Sequence, residues 1–303
     1  MTLVDDIKKI KREKDAIILA HNYQRPEIQD IADYVGDSIE LSRRVKEDND
    51  AKIIAFAAVN FMAESAAILN PEKKVLLPCV GSRCSMAYML PAEQLKSWKR
   101  KYPDIPVVLY VNTLAEAKAE CDVCCTSANA VRIVEALDAE TVLFGPDQNL
   151  AEYVQEKTGK KVIPIPPKGF CPTHILFMKE DILAKKNAHI DAIVAVHPEC
   201  SKDVRDIADF IGSTSQICRF AKASSSTKFI IGTEVGLLHK LRKENPEKKF
   251  LPAYGSAICN PMKLTTLERL YRVLKNEENL VVVSKDVAQK AKRALDLMFS
   301  LAE

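Results

Sequence analysis

Two stretches of the chain decide its fold: IILAHNYQRPEIQDIADYVGDSIELSRR, beginning at Ile17, and AIVAVHPECSKDVRDIADFIGSTSQICRF, beginning at Ala192. Both run from a short apolar, β-branched segment into a histidine, His21 or His197. An aspartate follows 12 positions later (Asp33, Asp209) and a hydroxyl residue 17 positions later (Ser38, Thr214). Between them Ile28, Ile31, Ala32 and Val35 match Val204, Ile207, Ala208 and Ile211, the three-and-four spacing of one helix face, with a short strand taking over at its end.

A weaker copy, VVLYVNTLAEAKAECDVCCTSANAVRI, lies between them, with Tyr110 in the histidine slot, Asp122 at +12 and Ser127 at +17. The second half of the unit repeats as well, as KKVLLP from Lys73, KKVIPIP from Lys160 and KKFLPA from Lys248. LVVVSKDVAQKAKRALDLMF, from Leu280, reads as a partial fourth copy. Internal repetition on this scale is the mark of a repeated structural unit. Short strands alternating with helices imply parallel strands joined by crossovers.

The expected fold class is therefore α/β: three similar parallel-sheet domains related by pseudo-threefold symmetry, with the active site and any metal centre at the central axis. The boundaries expected are 1–83 together with 260–303, then 84–170, then 171–259. Chemistry in such folds gathers at the carboxyl ends of the strands. That end is occupied here by His21-Asn22-Tyr23, Tyr110-Val111-Asn112 and His197-Pro198-Glu199.

Composition narrows the class of protein. The 303 residues are 47% hydrophobic and 28% charged, ordinary for a globular chain, and the net charge of +3 argues for neither nucleic acid nor a membrane surface. The N-terminus lacks the apolar core of a signal peptide and no run of about 18 apolar residues occurs, so a cytoplasmic location is expected. Nine cysteines in such a chain are expected as thiols or ligands rather than disulfides.

Three of the nine obey the repeat. Cys84, Cys171 and Cys259 are 87 and 88 residues apart, each a few residues after the last strand of its unit and each opening a helical stretch. Thiols at helix starts are expected to have lowered pKa values and to be ready ligands. Sulfur ligands suit an iron–sulfur cluster or zinc. With three ligands for a four-iron cubane, one iron stays open as a Lewis acid. The conspicuous CDVCC run (Cys121, Cys124, Cys125) falls where the other copies have ADYVG and ADFIG, and is expected to pack as buried thiols, as are Cys79, Cys200 and Cys218.

Ser38, Ser127 and Thr214 each precede a helical stretch. A hydroxyl at a helix start is a cap or a donor to carboxylate or phosphate, and three converging on one axis favour a shared polyanionic ligand. His21, Tyr23, Tyr110, Asn112, His197 and Glu199 add donors, acceptors and one candidate general base, Glu199. A fourth ring, His174, lies one turn after Cys171.

HNYQRPEIQDIAD, GDSIELS, YVNTLAEAKA, CTSANA, FGPDQNLA, GFCPTH, VHPEC, GSTSQ and MKLTTLE follow one another over nearly the whole chain. In these motifs the sequence resembles the quinolinate synthase family of NAD biosynthesis. The resemblance implies three α/β domains in pseudo-threefold arrangement and one 4Fe-4S cluster on Cys84, Cys171 and Cys259 with an open iron. It also implies condensation of iminoaspartate with dihydroxyacetone phosphate to quinolinate, phosphate and two waters. The implied substrate site is His21, Ser38, Tyr110, Val111, Asn112, Ser127, His197, Pro198, Glu199 and Thr214, with proton transfer shared among Glu199, Tyr23, Tyr110, His21 and His197. Iminoaspartate would come from an aspartate oxidase or dehydrogenase. Another hydro-lyase with a three-cysteine cluster, or a non-catalytic three-cysteine sensor, are the rival readings.

Overall fold

The computed structural model describes residues 2–47 and 50–302. The first unit contains β1 (Ala16–His21), β2 (Tyr34–Gly36), β3 (Ile53–Ala57) and β4 (Lys74–Leu76). The second contains β5 (Val107–Tyr110), β6 (Val123–Cys125), β7 (Thr141–Gly145) and β8 (Lys161–Pro164). The third contains β9 (Ile193–Val196), β10 (Phe210–Ile211), β11 (Lys228–Gly232) and β12 (Lys249–Pro252). Each unit is one parallel sheet, and the orders β2-β1-β3-β4, β6-β5-β7-β8 and β10-β9-β11-β12 are the same order three times. The fold is α/β with three similar domains.

The repeated residues have repeated structural tasks. The +12 aspartate closes the turn into the second strand of each sheet by accepting the first strand's N–H. Ile18 N donates to Asp33 at 2.8 Å, Val107 N to Asp122 at 2.7 Å and Val194 N to Asp209 at 2.8 Å. In the second and third units the first lysine of the KK pair holds the end of the helix that precedes the third strand, Ala130–Ala136 or Thr214–Ala223. Lys160 Nζ donates to Leu137 O at 2.6 Å, and Lys248 Nζ to Ala221 O at 2.6 Å and Ser224 O at 2.7 Å, favourable for a cation at a helix C-terminus.

The central strands β1, β3, β5 and β7 are buried on both faces, as parallel strands covered by crossover helices are. One apolar cluster runs from Leu19, Ile54 and Phe56 in the first unit to Val108, Phe144 and Ile133 in the second, and Cys84, Cys171 and Cys259 pack against it.

The segment from Leu280 departs from its expectation as a fourth copy. It contributes a single antiparallel bridge, Leu280 to Leu76, and then an 18-residue helix, Lys285–Ala302. Ala291, Ala294, Leu295, Met298 and Phe299 of that helix are buried, with Ile133, Val134, Cys124 and Cys125 in the same cluster. A parallel fifth strand would have needed another crossover; β4 instead ends its sheet beside this short antiparallel contact. The cysteine turns also differ in detail. Each opens a three-residue 3-10 turn (Met86–Tyr88, His174–Leu176, Met262–Leu264), and the α-helix begins only at Ala92, Lys179 or Leu267.

Candidate active site

The first strands of the three sheets, β1, β5 and β9, end at one cavity. His21, Tyr23, Tyr110, Asn112, His197 and Glu199 line it from these strand ends. Ser38, Ser127 and Thr214 line it from the turns after β2, β6 and β10, and Cys84, Cys171 and Cys259 from the turns after β4, β8 and β12. Val111 and Pro198 do not line it. Val111 is buried and its N–H donates to Cys125 O at 2.8 Å, so its place in the turn is structural.

The hydroxyls are not the helix caps. Asp37 accepts from Ile39 N at 3.2 Å and Glu40 N at 3.1 Å, and Ser213 forms the capping box with Gln216, so the residue before Ser38 and before Thr214 does the capping. In the second unit Thr126 Oγ1 accepts from Ala128 N at 3.2 Å. Ser127 Oγ meets His197 Nε2 at 3.2 Å, and Thr214 Oγ1 accepts from Asn22 Nδ2 at 2.8 Å.

The histidines are fixed as neutral donors. Burial drives His21 and His197 down to about 3. The backbone N–H groups of Tyr23 and Glu199 donate to Nδ1 of His21 and His197, at 3.1 and 3.3 Å. With Nδ1 an acceptor on a neutral ring, the proton sits on Nε2. The phenols of Tyr23 and Tyr110 are pushed well up by burial and by the Glu199 charge, and stay protonated.

This arrangement keeps Glu199 ionised. Burial pushes its carboxyl up, but the imidazoles of His174 and His197 and the hydrogen bonds from His174 and Tyr110 outweigh that and bring it to about 2. Its Oε2 is 2.6 Å from His174 Nδ1, while its Oε1 is buried with no partner, as is Asn112 Oδ1. A buried acceptor without a donor is costly, and at a cavity wall it is matched by a ligand that brings one. His174 extends the set: its Nε2 is 2.9 Å from Thr233 Oγ1, which is 2.6 Å from the Tyr23 hydroxyl. A self-consistent chain of donors runs Tyr23 to Thr233 to His174 to Glu199.

The three cysteine turns share a support that the sequence reading passed over. Cys84 N–H donates to Asn60 Oδ1 at 3.4 Å, Cys171 N–H to Asp147 Oδ2 at 3.0 Å and Cys259 N–H to Glu234 Oε1 at 3.1 Å. Asn60, Asp147 and Glu234 follow the third strand of each sheet and are spaced by 87 residues each, so the same period that found the cysteines would have found them. Glu234 is completely buried and pairs with Lys263 Nζ at 2.8 Å; the same ammonium donates to Tyr23 O. The expected lowering of the thiol pKa values is overturned. Burial pushes Cys84 up to about 11 and Cys259 to about 12, against the opposing pull of nearby amides, and Cys171 goes up as well.

The donor set fits an iron–sulfur cluster. Three thiols without disulfides line the cavity, and half-buried Cys171 is near enough to both Cys84 and Cys259 for their charges to raise its pKa. Cys171, His174 and Glu199 also lie with ligand atoms within 4.8 Å of one another and could hold a single metal ion. In contrast, Cys124 and Cys125 are buried in β6, with Cys121 Sγ 3.8 Å from Cys124 Sγ, in keeping with packing thiols.

Strand-end loops, a buried ionised carboxylate, neutral histidines and a soft-ligand wall define an α/β enzyme. The family model for the quinolinate synthetase A protein matches residues 5–300. Proteins named quinolinate synthase are similar over nearly their full length. That of Thermotoga maritima is 51% identical over 299 residues, covering 99% of each chain. That of Pyrococcus abyssi is 50% identical over 302 residues, covering 100% of each, and that of Alkaliphilus metalliredigens 50% over 299, covering 99% of this chain and 98% of its own. The chain belongs to the quinolinate synthetase A protein family. Among the described residues no helix is long and apolar enough to cross a membrane.

Proposed function

We propose that this cavity condenses iminoaspartate with dihydroxyacetone phosphate to give quinolinate, phosphate and two waters, in the cytoplasm and in de novo NAD biosynthesis. Iminoaspartate is supplied by an aspartate oxidase or dehydrogenase. Cys84, Cys171 and Cys259 hold a 4Fe-4S cluster, which when bound supplies an open iron as a Lewis acid for a departing oxygen. The observation that carries the reading is the pairing of the three-cysteine wall with the unpartnered Oε1 of Glu199 in one cavity.

The chain's own groups divide the work. Ser38, Ser127 and Thr214, free of capping duty, donate to the carboxylates and the phosphate. The Nε2–H groups of His21 and His197 orient the same anions. Condensation, phosphate loss and ring closure each require carbon- or nitrogen-bound protons to leave, and Glu199 Oε1 accepts them. The Tyr23–Thr233–His174 chain donates toward Oε2 and holds the carboxylate ionised, so that Oε1 is ready to accept. Tyr110 and Tyr23, held as phenols, return protons to departing oxygens. Asn112 Oδ1 accepts from the substrate nitrogen.

The decisive experiment is an anaerobic assay for quinolinate from the two substrates, beside determination of iron and sulfide. Quinolinate formed by protein holding about four irons and four sulfides per chain bears out the proposal. A second reading, one metal ion on Cys171, His174 and Glu199, is favoured by their closeness alone. It predicts one metal and no sulfide.

A further inference from the structure

A second cavity, of about 230 Å³, abuts the first. Asp37 lines both, and Ile39, Ala128 and Gln216 carry its wall onward from Ser38, Ser127 and Thr214. Around it stand Arg43, Arg132 and Arg219. Each arginine lies five positions after the hydroxyl residue of its own unit, so a single slot of the repeat holds the same cation three times. All three are exposed.

The other repeated charges have tasks inside their own units: the +12 aspartates close strand turns, and Lys160 and Lys248 hold helix ends. Arg219 Nη1 donates to Glu40 Oε1 at 3.2 Å, reaching into a different unit, and Glu40 Oε2 accepts from Ser215 Oγ at 2.5 Å. Asp37 is already supplied with donors by Ile39 N, Glu40 N and, at 3.1 Å, Ser213 Oγ. Three guanidinium groups line a cavity whose wall holds two carboxylates, buried Asp37 and half-buried Glu40. The balance is positive.

We propose that Arg43, Arg132 and Arg219 form an anion-receiving vestibule that binds carboxylate and phosphate dianions before they pass to the hydroxyls behind it. Guanidinium forks match both groups in geometry and stay charged at every working pH. A cavity whose lining carries an excess of one sign of charge raises the local concentration of oppositely charged ligands, an effect that falls steeply with salt. The idea rests on the proposed reaction insofar as its substrates are polyanions. It assigns these residues to KM and not to the chemical step.

The test compares the cluster-loaded wild type with the triple variant R43Q/R132Q/R219Q and with a triple lysine variant. Kinetics are measured at low and high ionic strength, and binding of inorganic phosphate and of quinolinate by anaerobic calorimetry. The glutamine variant should show KM for the triose phosphate raised about tenfold at low salt. Its kcat should stay within about twofold, its cluster absorbance should be unchanged, and its salt dependence should be much flatter. The lysine variant should recover part of the loss. Unchanged KM, phosphate affinity and salt slope would overturn the vestibule, as would a parallel loss of kcat and cluster. If the triple variant does not fold, R43Q and R132Q singly should each raise KM about threefold at low salt, and no rise would overturn the idea. If the wild type makes no quinolinate, the substrate reading falls, and the phosphate binding comparison still decides the vestibule.

Discussion

Replacing Glu199 by glutamine isolates proton transfer from everything else this side chain does. Glutamine has the same length and keeps an oxygen to accept from His174 Nδ1, now 2.6 Å from Oε2. It places an amide where the unpartnered Oε1 stands, and that amide cannot take a proton. The packing is conserved, so the cysteine wall should load its cluster with unchanged absorbance, and thermal stability should shift by only a few degrees. Losing a positioned general base costs about two to four orders of magnitude in turnover. At 1.36 kcal/mol per tenfold, that is about 3–5 kcal/mol of transition-state stabilisation. Glu199→Asp retains a carboxylate but shortens its reach and should fall between the two. The assay is quinolinate formation under anaerobic conditions, with cluster content measured on the same sample. Turnover of Glu199→Gln within about fivefold of wild type, with full cluster, would refute the assignment of the base. The pH profile gives an independent check. A carboxyl held at about 2 in the folded protein, below its ordinary 4.5, remains ionised as pH falls to the cluster's own acid limit. The free enzyme's kcat/KM should therefore show no acid limb from Glu199 between about pH 4 and 7.

Serine in place of Cys84, Cys171 or Cys259 should abolish iron–sulfur absorbance and activity, whereas Cys121→Ser, Cys124→Ser and Cys125→Ser should keep the absorbance. Iron lost from Cys124→Ser and kept by Cys171→Ser would reverse the ligand assignment. Ser127→Ala should weaken quinolinate binding about ten- to a hundredfold, the scale of one hydrogen bond to a charged group at roughly 1.5–3 kcal/mol. The melting temperature should hardly move, because Thr126 and not Ser127 accepts the Ala128 amide; a lowered melting temperature with unchanged affinity would leave Ser127 structural. Asp147→Ala strips the acceptor from both Cys171 N, 3.0 Å away, and Leu150 N, 2.8 Å away. Two buried amides left unpaired should cost about 2–6 kcal/mol, read as a lowered melting temperature together with faster iron loss to a chelator. Asp147→Asn, which keeps one acceptor, should recover part of both.

The sequence by itself determined the repeat, and through it the parallel sheets, the strand-end positions of His21, Tyr110 and His197, and the common period of the three cysteines. These were legible because a strand alternating with a helix leaves a local apolar pattern, and three copies give each slot a fixed address. The partial copy at Leu280 misled for the same reason: a β-branched run states a preference for extended backbone but does not name a partner, and here no parallel neighbour was on offer. Tertiary structure alone decided which atoms meet. That Asp37 and Ser213 take the capping role and free Ser38 and Thr214 depends on backbone geometry at a single peptide, which spacing cannot resolve. The fate of the thiols depended on burial, which outweighs the pull of nearby amides and raises pKa values expected to fall. The contact of His174, after β8 of the second sheet, with Glu199, after β9 of the third, and the hold of Asn60, Asp147 and Glu234 on the cysteine amides are distance facts. A period says that residues are equivalent; only the packed chain brings equivalent residues within reach of one another.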